Sequence, residues 1–151
     1  MKYLFSLLIL SAFLMSCAKK KAEKQATEDA AIIAQYISDN GLMATTTSSG
    51  LNYVRNIVGT GASCNAFSTV TVAYKGYFTD GSVFDESPEE GITFGLSNVI
   101  QGWTEGIPYF KEGGKGVLII PSALGYGPKG RGSIPGNSVL VFDVELIEVV
   151  A

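Results

Sequence analysis

The segment VAYKGYFTDGSVFDES, residues 72–87, decides how the fold of this 151-residue chain is interpreted. It overlaps a run over 70–78 that is rich in valine and aromatic side chains, which favour β-strands. The turn-forming residues Thr79, Asp80 and Gly81 follow at once, and a second short strand is predicted over 82–85. A strand, a tight turn and a returning strand indicate an antiparallel hairpin.

Short β-prone segments continue on both sides of this hairpin. All of the 18 glycines except Gly41 lie between Gly50 and Gly136, where they separate these segments. Only one helix fits among them, from about Val99 or Trp103 to Phe110. The predicted strands cover 51–57, 70–78, 82–85, 92–94, 117–120 and 139–150. This pattern predicts an α+β domain in which an antiparallel sheet of about five strands packs around one short helix.

The first 16 residues have the layout of a signal peptide. Lys2 supplies a positive charge, and the apolar run over 3–16 is too short to span a bilayer comfortably. The run ends in Leu14-Met15-Ser16-Cys17, which resembles the lipobox of bacterial lipoproteins. That resemblance implies cleavage before Cys17 and acylation of this residue, which would anchor the chain to a membrane. A plain signal peptide with an accidental cysteine is the alternative.

Residues 17–49 are interpreted as a tether and a short helix. The lysine-rich segment 18–26 shows no periodicity and is predicted to be flexible, whereas Thr27 is a candidate N-cap for a helix over 28–39. The apolar positions with helical spacing are Ala30, Ile33, Ala34 and Ile37. This stripe packs on the main domain or forms a dimer interface. Residues 45–50 are predicted to be a polar linker.

Composition excludes several kinds of chemistry. The chain has no histidine, so Ser-His-Asp and Cys-His nucleophile systems and histidine-bound zinc are excluded. Its formal net charge of −3 provides no basic surface for nucleic acid. With Cys17 acylated, Cys64 has no partner for a disulfide, and it is either incidental or a reactive thiol. The sequence predicts neither a metal nor a cofactor.

Four segments, taken in order, match a known family. They are VAYKGYFTDGSVFDES (72–87), VIQGWTEGI (99–107), ALGYG (123–127) and VLVFDVELIEV (139–149). With them, residues 50–151 resemble the FKBP-type peptidyl-prolyl cis-trans isomerases over essentially their whole length. The resemblance implies an antiparallel sheet wrapped around a short helix, with an apolar pocket between them. It also implies acceleration of X-Pro bond rotation without a cofactor.

The resemblance assigns roles to individual residues. It implies that Trp103 lies at the bottom of the pocket, that the Ile100 backbone N–H and the Tyr126 hydroxyl donate to the substrate, and that Asp85 fixes the pocket wall. The other implied substrate-binding residues are Tyr74, Phe84, Ile92, Val99, Ile134, Leu140 and Phe142. Without the resemblance, Asp85 would be interpreted as a structural carboxylate, and the following residues as ordinary core: Trp103, Val99, Ile100, Leu140 and Phe142.

Two departures from the family pattern affect the pocket rim. Ile92 stands where many members have an aromatic residue, and the segment 96–99 is shorter than in members with a long loop. We therefore expect a shallower rim and only weak binding of macrolide inhibitors.

Three functions follow from these observations. The first is a membrane-tethered prolyl isomerase that acts on proline-containing exported polypeptides in the bacterial cell envelope, facing the periplasm or the exterior. Because rotation about a peptide bond breaks no covalent bond, a chain without histidine can catalyse it. The second is a proline-recognising chaperone or interaction module with little turnover. The third is a surface interaction protein that dimerises through the N-terminal helix.

Overall fold

In the computed structural model of the chain, the described residues are 2–150 for the backbone and 17–150 for the side chains, and they form two α-helices and seven strands. The elements in chain order are α1 (Lys2–Asp39), β1 (Thr45–Thr46), β2 (Asn52–Ile57), β3 (Thr69–Tyr77), β4 (Val83–Glu86), β5 (Ile92–Gly95), α2 (Gln101–Gly106), β6 (Gly114–Ile120) and β7 (Leu140–Val150). Four 3₁₀ turns lie at Leu96–Asn98, Ile107–Tyr109, Ser122–Leu124 and Gly127–Lys129.

The strands form one antiparallel sheet in the order β1-β2-β6-β7-β3-β4, and β5 pairs with β3 beside β4. The predicted hairpin is confirmed as β3–β4, in which Gly76 lies opposite Asp85. The Phe78 N–H donates to the Ser82 carbonyl at 2.9 Å and closes the turn. The α+β architecture with an antiparallel sheet is therefore confirmed, with seven strands instead of about five.

Strand β6 explains why the most apolar sequence lies in the middle of the sheet. Leu118 and Ile120 face the main core with α2, while Val117 and Ile119 face a second core cluster with α1. A strand that is covered on both faces loses the usual alternation of apolar and polar residues. The two helices therefore cover opposite faces of the sheet.

Helix α1 is longer than the predicted helix over 28–39. Residues 18–26 were expected to be a flexible tether, but they lie inside the helix. Thr27 is an interior residue and not an N-cap, because its hydroxyl donates to the Glu23 carbonyl at 3.0 Å. The outer part of the helix is exposed on nearly all sides, so it shows no apolar periodicity, although lysine, alanine and glutamate are good helix formers. The side chains of the predicted signal peptide, 1–16, lie outside the described residues.

The inner face of α1 packs against the sheet, as one of the two interpretations predicted. Ile33 is buried against Val117 and Ile119, and Tyr36 and Ile37 extend the contact. The predicted stripe is only partly correct, because two of its members, Ala30 and Ala34, are exposed. The actual buried or half-buried positions on this face are Gln25, Asp29, Ile33, Tyr36 and Ile37.

The segment 45–50, predicted to be a polar linker, is ordered by pairing and by a carboxylate. Thr45 and Thr46 form β1 against β2. The Thr47 and Ser49 hydroxyls donate to the Glu105 carboxylate of α2 at 2.8 Å each. This segment therefore ties α2 to the edge of the sheet. Among the side-chain-described residues, 17–150, no helix carries an apolar stretch long enough to cross a membrane.

Replacing Ile33 with alanine should lower the free energy of unfolding by about 2–5 kcal/mol, because the side chain is 3% exposed and its removal leaves a cavity at the helix–sheet contact. The matched control is Ile32→Ala, one residue earlier and 42% exposed, which should cost about 1 kcal/mol or less. Urea unfolding of the full chain measures both values. Equal losses in the two variants would contradict the docking of α1 on the sheet.

Candidate active site

A cavity of about 780 Å³ opens at the start of α2, on the face of the sheet that this helix covers. Its wall is formed mainly by aromatic and aliphatic side chains from β3, β4, β5, β7 and the loops after β5 and β6. The lining residues are Tyr74, Phe84, Asp85, Ile92, Phe94, Asn98, Val99, Ile100, Trp103, Tyr126, Arg131, Gly132, Ser133, Ile134 and Phe142. An apolar cavity with a few polar groups is typical of a small-ligand site.

Trp103 forms the floor of this cavity. Its ring is perpendicular to Tyr74, with centroids 4.9 Å apart, and to Phe142, with centroids 5.2 Å apart. Phe94 packs against the same indole at 5.3 Å. Edge-to-face packing matches the positive rim of one ring to the negative face of another. The indole is 5% exposed, and its N–H is buried without an acceptor in the part of the chain with described side chains.

Two glycines make this arrangement possible by leaving space. A Cβ on Gly76 of β3 would lie 2.7 Å from ring atoms of both Phe84 and Phe142, so the two rings meet above a bare backbone. A Cβ on Gly102 would lie 2.5 Å from Cγ2 of the buried Ile120 on β6. Gly102 thus lets α2 approach the sheet closely, and this approach sets the depth of Trp103.

One wall of the cavity is fixed by a hydrogen bond across the hairpin. The Tyr74 hydroxyl donates to Oδ2 of Asp85 at 2.7 Å, and Oδ1 of Asp85 accepts from the Glu86 N–H at 2.9 Å. The Tyr74 backbone N–H donates to Oγ of Ser87 at 2.9 Å. Because both ends of Tyr74 are held by β4 and the residue after it, its ring cannot turn away from Trp103.

Two further residues that line the cavity, Ile100 and Tyr126, carry groups that can donate hydrogen bonds. Ile100 is the N-cap of α2, and its backbone N–H has no acceptor within the described residues. Tyr126 follows the 3₁₀ turn Ser122–Leu124, and the Arg131 guanidinium lies 5.8 Å from the centre of its ring. The Tyr126 hydroxyl makes no hydrogen bond with another described side chain or backbone group. Both groups are therefore available to a ligand.

The model of the FKBP-type peptidyl-prolyl cis-trans isomerases matches residues 61–147 of this chain. The chain belongs to this family. It is 44% identical over 135 residues to the FKBP-type isomerase FkpA of Aeromonas hydrophila, covering 87% of this chain and 50% of the relative. It is 43% identical over 140 residues to FkpA of Escherichia coli strain K12, covering 89% of this chain and 51% of the relative. The chain thus spans about half the length of these curated relatives.

Solved FKBP-type structures are similar over most of the chain. The crystal structure of FkpA from Escherichia coli matches with a TM-score of 0.73 at 41% identity, covering 95% of this chain and 70% of that one. A peptidyl-prolyl cis-trans isomerase from Pseudomonas syringae matches with a TM-score of 0.74 at 32% identity, covering 85% of this chain and 96% of that one. The fold implied by the family resemblance is confirmed.

The structure brings all but one of the sequence-assigned pocket residues to the cavity of this FKBP-type domain. Those at the cavity are Tyr74, Phe84, Asp85, Ile92, Val99, Ile100, Trp103, Tyr126, Ile134 and Phe142. Leu140 is the exception and is corrected to a core residue, because its side chain is completely buried and does not line the cavity. It lies under Gly125, where it supports the loop that carries Tyr126.

Sequence reasoning missed five residues of the lining. Phe94 could have been found, because it lies two residues after Ile92 on the same strand and therefore on the same face. The other missed residues, Asn98, Arg131, Gly132 and Ser133, lie in loops whose path shows no periodicity. Only the folded chain brings these loop residues to the FKBP-type cavity.

The remaining candidate groups lie outside this cavity. Cys64 is half-buried against the main core, and burial raises the pKa of its thiol, which disfavours the reactive thiolate. This environment favours the interpretation of Cys64 as incidental. Within 17–150, no three histidine, cysteine, aspartate or glutamate side chains are grouped closely enough to hold a metal ion.

The environment of Tyr74 favours its neutral form. Burial raises the pKa of its phenol above the usual value of about 10, and the hydrogen bond to Asp85 and the negative charge of that carboxylate raise it further. A phenol whose pKa is raised by folding stabilises the protein fully below pH ~10, and this contribution is lost as the pH rises through the folded-state pKa.

Tyrosine absorbance should therefore show that Tyr74 ionises later than an ordinary tyrosine as the pH rises. Asp85→Asn should lower the pKa of Tyr74 but leave it above about 10, because burial persists. Tyr74→Phe removes the absorbance change that belongs to Tyr74 and so identifies it. Asp80→Asn, in the exposed hairpin turn, is the control that should leave this absorbance change unchanged. If Tyr74 titrates identically in Asp85→Asn and in wild type, Asp85 does not raise the pKa of Tyr74.

Proposed function

We propose that this chain accelerates the cis–trans isomerisation of X-Pro bonds by binding the twisted amide in the cavity above Trp103. The observation that supports this most directly is the cavity itself. A buried indole floor is surrounded by aromatic rings, and two hydrogen-bond donors without acceptors among the described residues lie beside it. Its depth and apolar lining suit a proline ring, which is compact and apolar.

The reaction is a rotation with a barrier of about 20 kcal/mol, because the amide loses its resonance as it twists. Without a catalyst the exchange takes tens of seconds or longer. No proton or electron pair has to be transferred to another group. The enzyme needs only to bind the twisted amide more tightly than the planar one.

An apolar cavity does this partly by excluding water. In the planar amide, resonance places negative charge on the carbonyl oxygen, and water stabilises that charge. The charge falls as the bond twists. Moving the amide from water into an aromatic cavity therefore penalises the planar form more than the twisted form. The rings of Tyr74, Trp103 and Phe142 form the water-poor part of the site.

Hydrogen bonds add a geometric preference for the twisted amide. We assign the Ile100 N–H and the Tyr126 hydroxyl as donors to substrate carbonyl oxygens, because both residues line the cavity and both groups lack acceptors among the described residues. Asp85 has a different role, since its carboxylate is engaged by Tyr74 and by the backbone of Glu86. It holds the aromatic wall in place. Each 1.36 kcal/mol of preference for the twisted amide corresponds to about tenfold in rate.

Isomerisation of an X-Pro tetrapeptide should fall at least about tenfold in Trp103→Leu, which removes the ring floor, and in Asp85→Ala, which releases Tyr74. NMR exchange or a protease-coupled assay measures the rate, and circular dichroism verifies folding. Phe67→Ala is the control, because this aromatic side chain is exposed and does not line the cavity. Wild-type rates in both pocket variants would exclude the assigned site.

The assay also separates the isomerase from a proline-recognising chaperone with little turnover. A chaperone of that kind would suppress aggregation but would not accelerate exchange in the tetrapeptide. A refolding protein whose slow step is proline isomerisation provides the second substrate. Acceleration of both substrates, lost together in Asp85→Ala, supports the enzyme.

We also propose that the chain is a lipoprotein of the bacterial cell envelope that acts on proline-containing exported polypeptides. The support is the lipobox-like sequence ending in Cys17 and the exposure of this cysteine on α1. Several acyl chains on one residue give a durable anchor, because each buried methylene contributes about 0.8 kcal/mol.

Cys17→Ser should abolish incorporation of a labelled fatty acid and release the protein from the membrane fraction when the chain is expressed in a bacterium. Cys64→Ser is the matched control, because Cys64 is half-buried and outside the lipobox-like segment, and it should leave both readouts unchanged. Label that persists in Cys17→Ser would reject Cys17 as the lipidated residue.

A further inference from the structure

The N-terminal helix reaches the active-site loop through one buried carboxylate. Asp29 of α1 is 1% exposed, and its Oδ2 accepts from both the backbone N–H and the hydroxyl of Ser122, at 2.8 and 2.6 Å. Its Oδ1 accepts from Nε2 of Gln25 at 2.8 Å. Ser122 is 2% exposed, so this contact is shielded from water. We name it the Asp29–Ser122 clasp.

The clasp lies at the base of the loop that carries Tyr126. Ser122 starts the 3₁₀ turn after β6, in which the Leu124 N–H donates to the Pro121 carbonyl and the Gly125 N–H donates to the Ser122 carbonyl. Tyr126 follows Gly125 directly and faces the cavity. Because these hydrogen bonds close a tight turn of four residues, the position of Ser122 constrains the position of Tyr126.

A carboxylate is an unexpected residue at this place if packing alone matters. Position 29 belongs to the face of α1 that also buries Ile33 and Tyr36 against the sheet. Burying a carboxylate is costly, and an apolar side chain at such a site often gives equal or greater stability. What a carboxylate adds is a directed, charge-assisted contact that fixes the position of its partner.

We propose that Asp29 is a positioning residue for catalysis, which holds the Tyr126 loop at the height where its hydroxyl meets the substrate carbonyl. This inference rests on the proposed isomerase function. It assigns α1 a part in the active site, although none of its residues with described side chains, 17–39, lines the cavity. Asp29 acts through Ser122 and the 3₁₀ turn, and it does not touch the substrate.

The kinetic test compares two aspartates of the same helix in the full chain. Asp29→Ala should lower kcat for an X-Pro tetrapeptide about tenfold and change KM less than about twofold, because a displaced Tyr126 hydroxyl would stabilise the twisted amide less. Asp39→Ala is the matched control. The Asp39 carboxylate likewise accepts a hydrogen bond from a glutamine four residues earlier, Gln35, but Asp39 is exposed, whereas Ser122 donates to Asp29.

A double-variant cycle separates positioning from general loss of stability. If Asp29 acts through Tyr126, Asp29→Ala should cause little further loss of kcat in a Tyr126→Phe background. Asp29→Asn keeps an oxygen that can accept from Ser122 and should restore most of the activity. Full additivity of Asp29→Ala and Tyr126→Phe, or wild-type kcat in Asp29→Ala, would overturn the proposal.

A measurement independent of activity keeps the two proposals apart. Hydrogen exchange at the backbone amides of 123–127 should accelerate in Asp29→Ala and in Ser122→Ala, while exchange in α2 stays unchanged. Unchanged exchange at 123–127 in both variants would refute the proposal that the clasp holds the loop, even if the chain is an active isomerase. An inactive wild-type chain refutes the proposed function, and the exchange rates still decide whether Asp29 holds the loop. If Asp29→Ala does not fold, Ser122→Ala provides the same comparison, because it removes the hydroxyl that donates to Asp29.

Discussion

The edge-to-face packing of Trp103 against Tyr74 and Phe142 is the contact on which the rest of the structure depends. It joins α2 to the two longest strands of the sheet, β3 and β7, and it forms the floor of the cavity at the same time. This packing requires a close approach of the rings and of α2 to the sheet, which a side chain at Gly76 or Gly102 would prevent. Gly76 leaves room for the rings on the sheet, and Gly102 lets the helix approach Ile120. Stability and the candidate site therefore share one set of contacts.

The sheet transmits constraints from one of its faces to the other. Strand β6 buries Leu118 and Ile120 beneath α2, and Val117 and Ile119 beneath α1. The chain then leaves β6 at Pro121 and Ser122, where α1 contacts it, and turns into the loop that faces the cavity. Helix α1 can thus influence the cavity on the other face of the sheet without lining it. Both α1 and α2 pack on β6, and α1 also contacts Ser122, where the chain leaves this strand.

Much of the domain was predictable because its local signals agree with its tertiary structure. Turn residues mark the β3–β4 hairpin, and six of the seven described strands overlap the β-prone segments, with β1 as the exception. Two failures have physical reasons. The outer part of α1 lacks an apolar stripe because solvent surrounds it, so its helical propensity alone did not reveal it. Leu140 was assigned to the pocket by the family resemblance, and the sequence pattern could not correct this, because an apolar strand residue can face either the core or the cavity.

The sequence by itself determined the family, the antiparallel architecture and the set of aromatic residues from which a cavity could be built, because these depend on residue types and their order. Only the tertiary structure decided how these residues meet. It brought Arg131 and Ser133 to the rim, excluded Leu140 and placed Asp29 on Ser122. Contacts between residues far apart in the chain depend on how whole elements approach each other in space, and that approach leaves no periodic trace in the sequence.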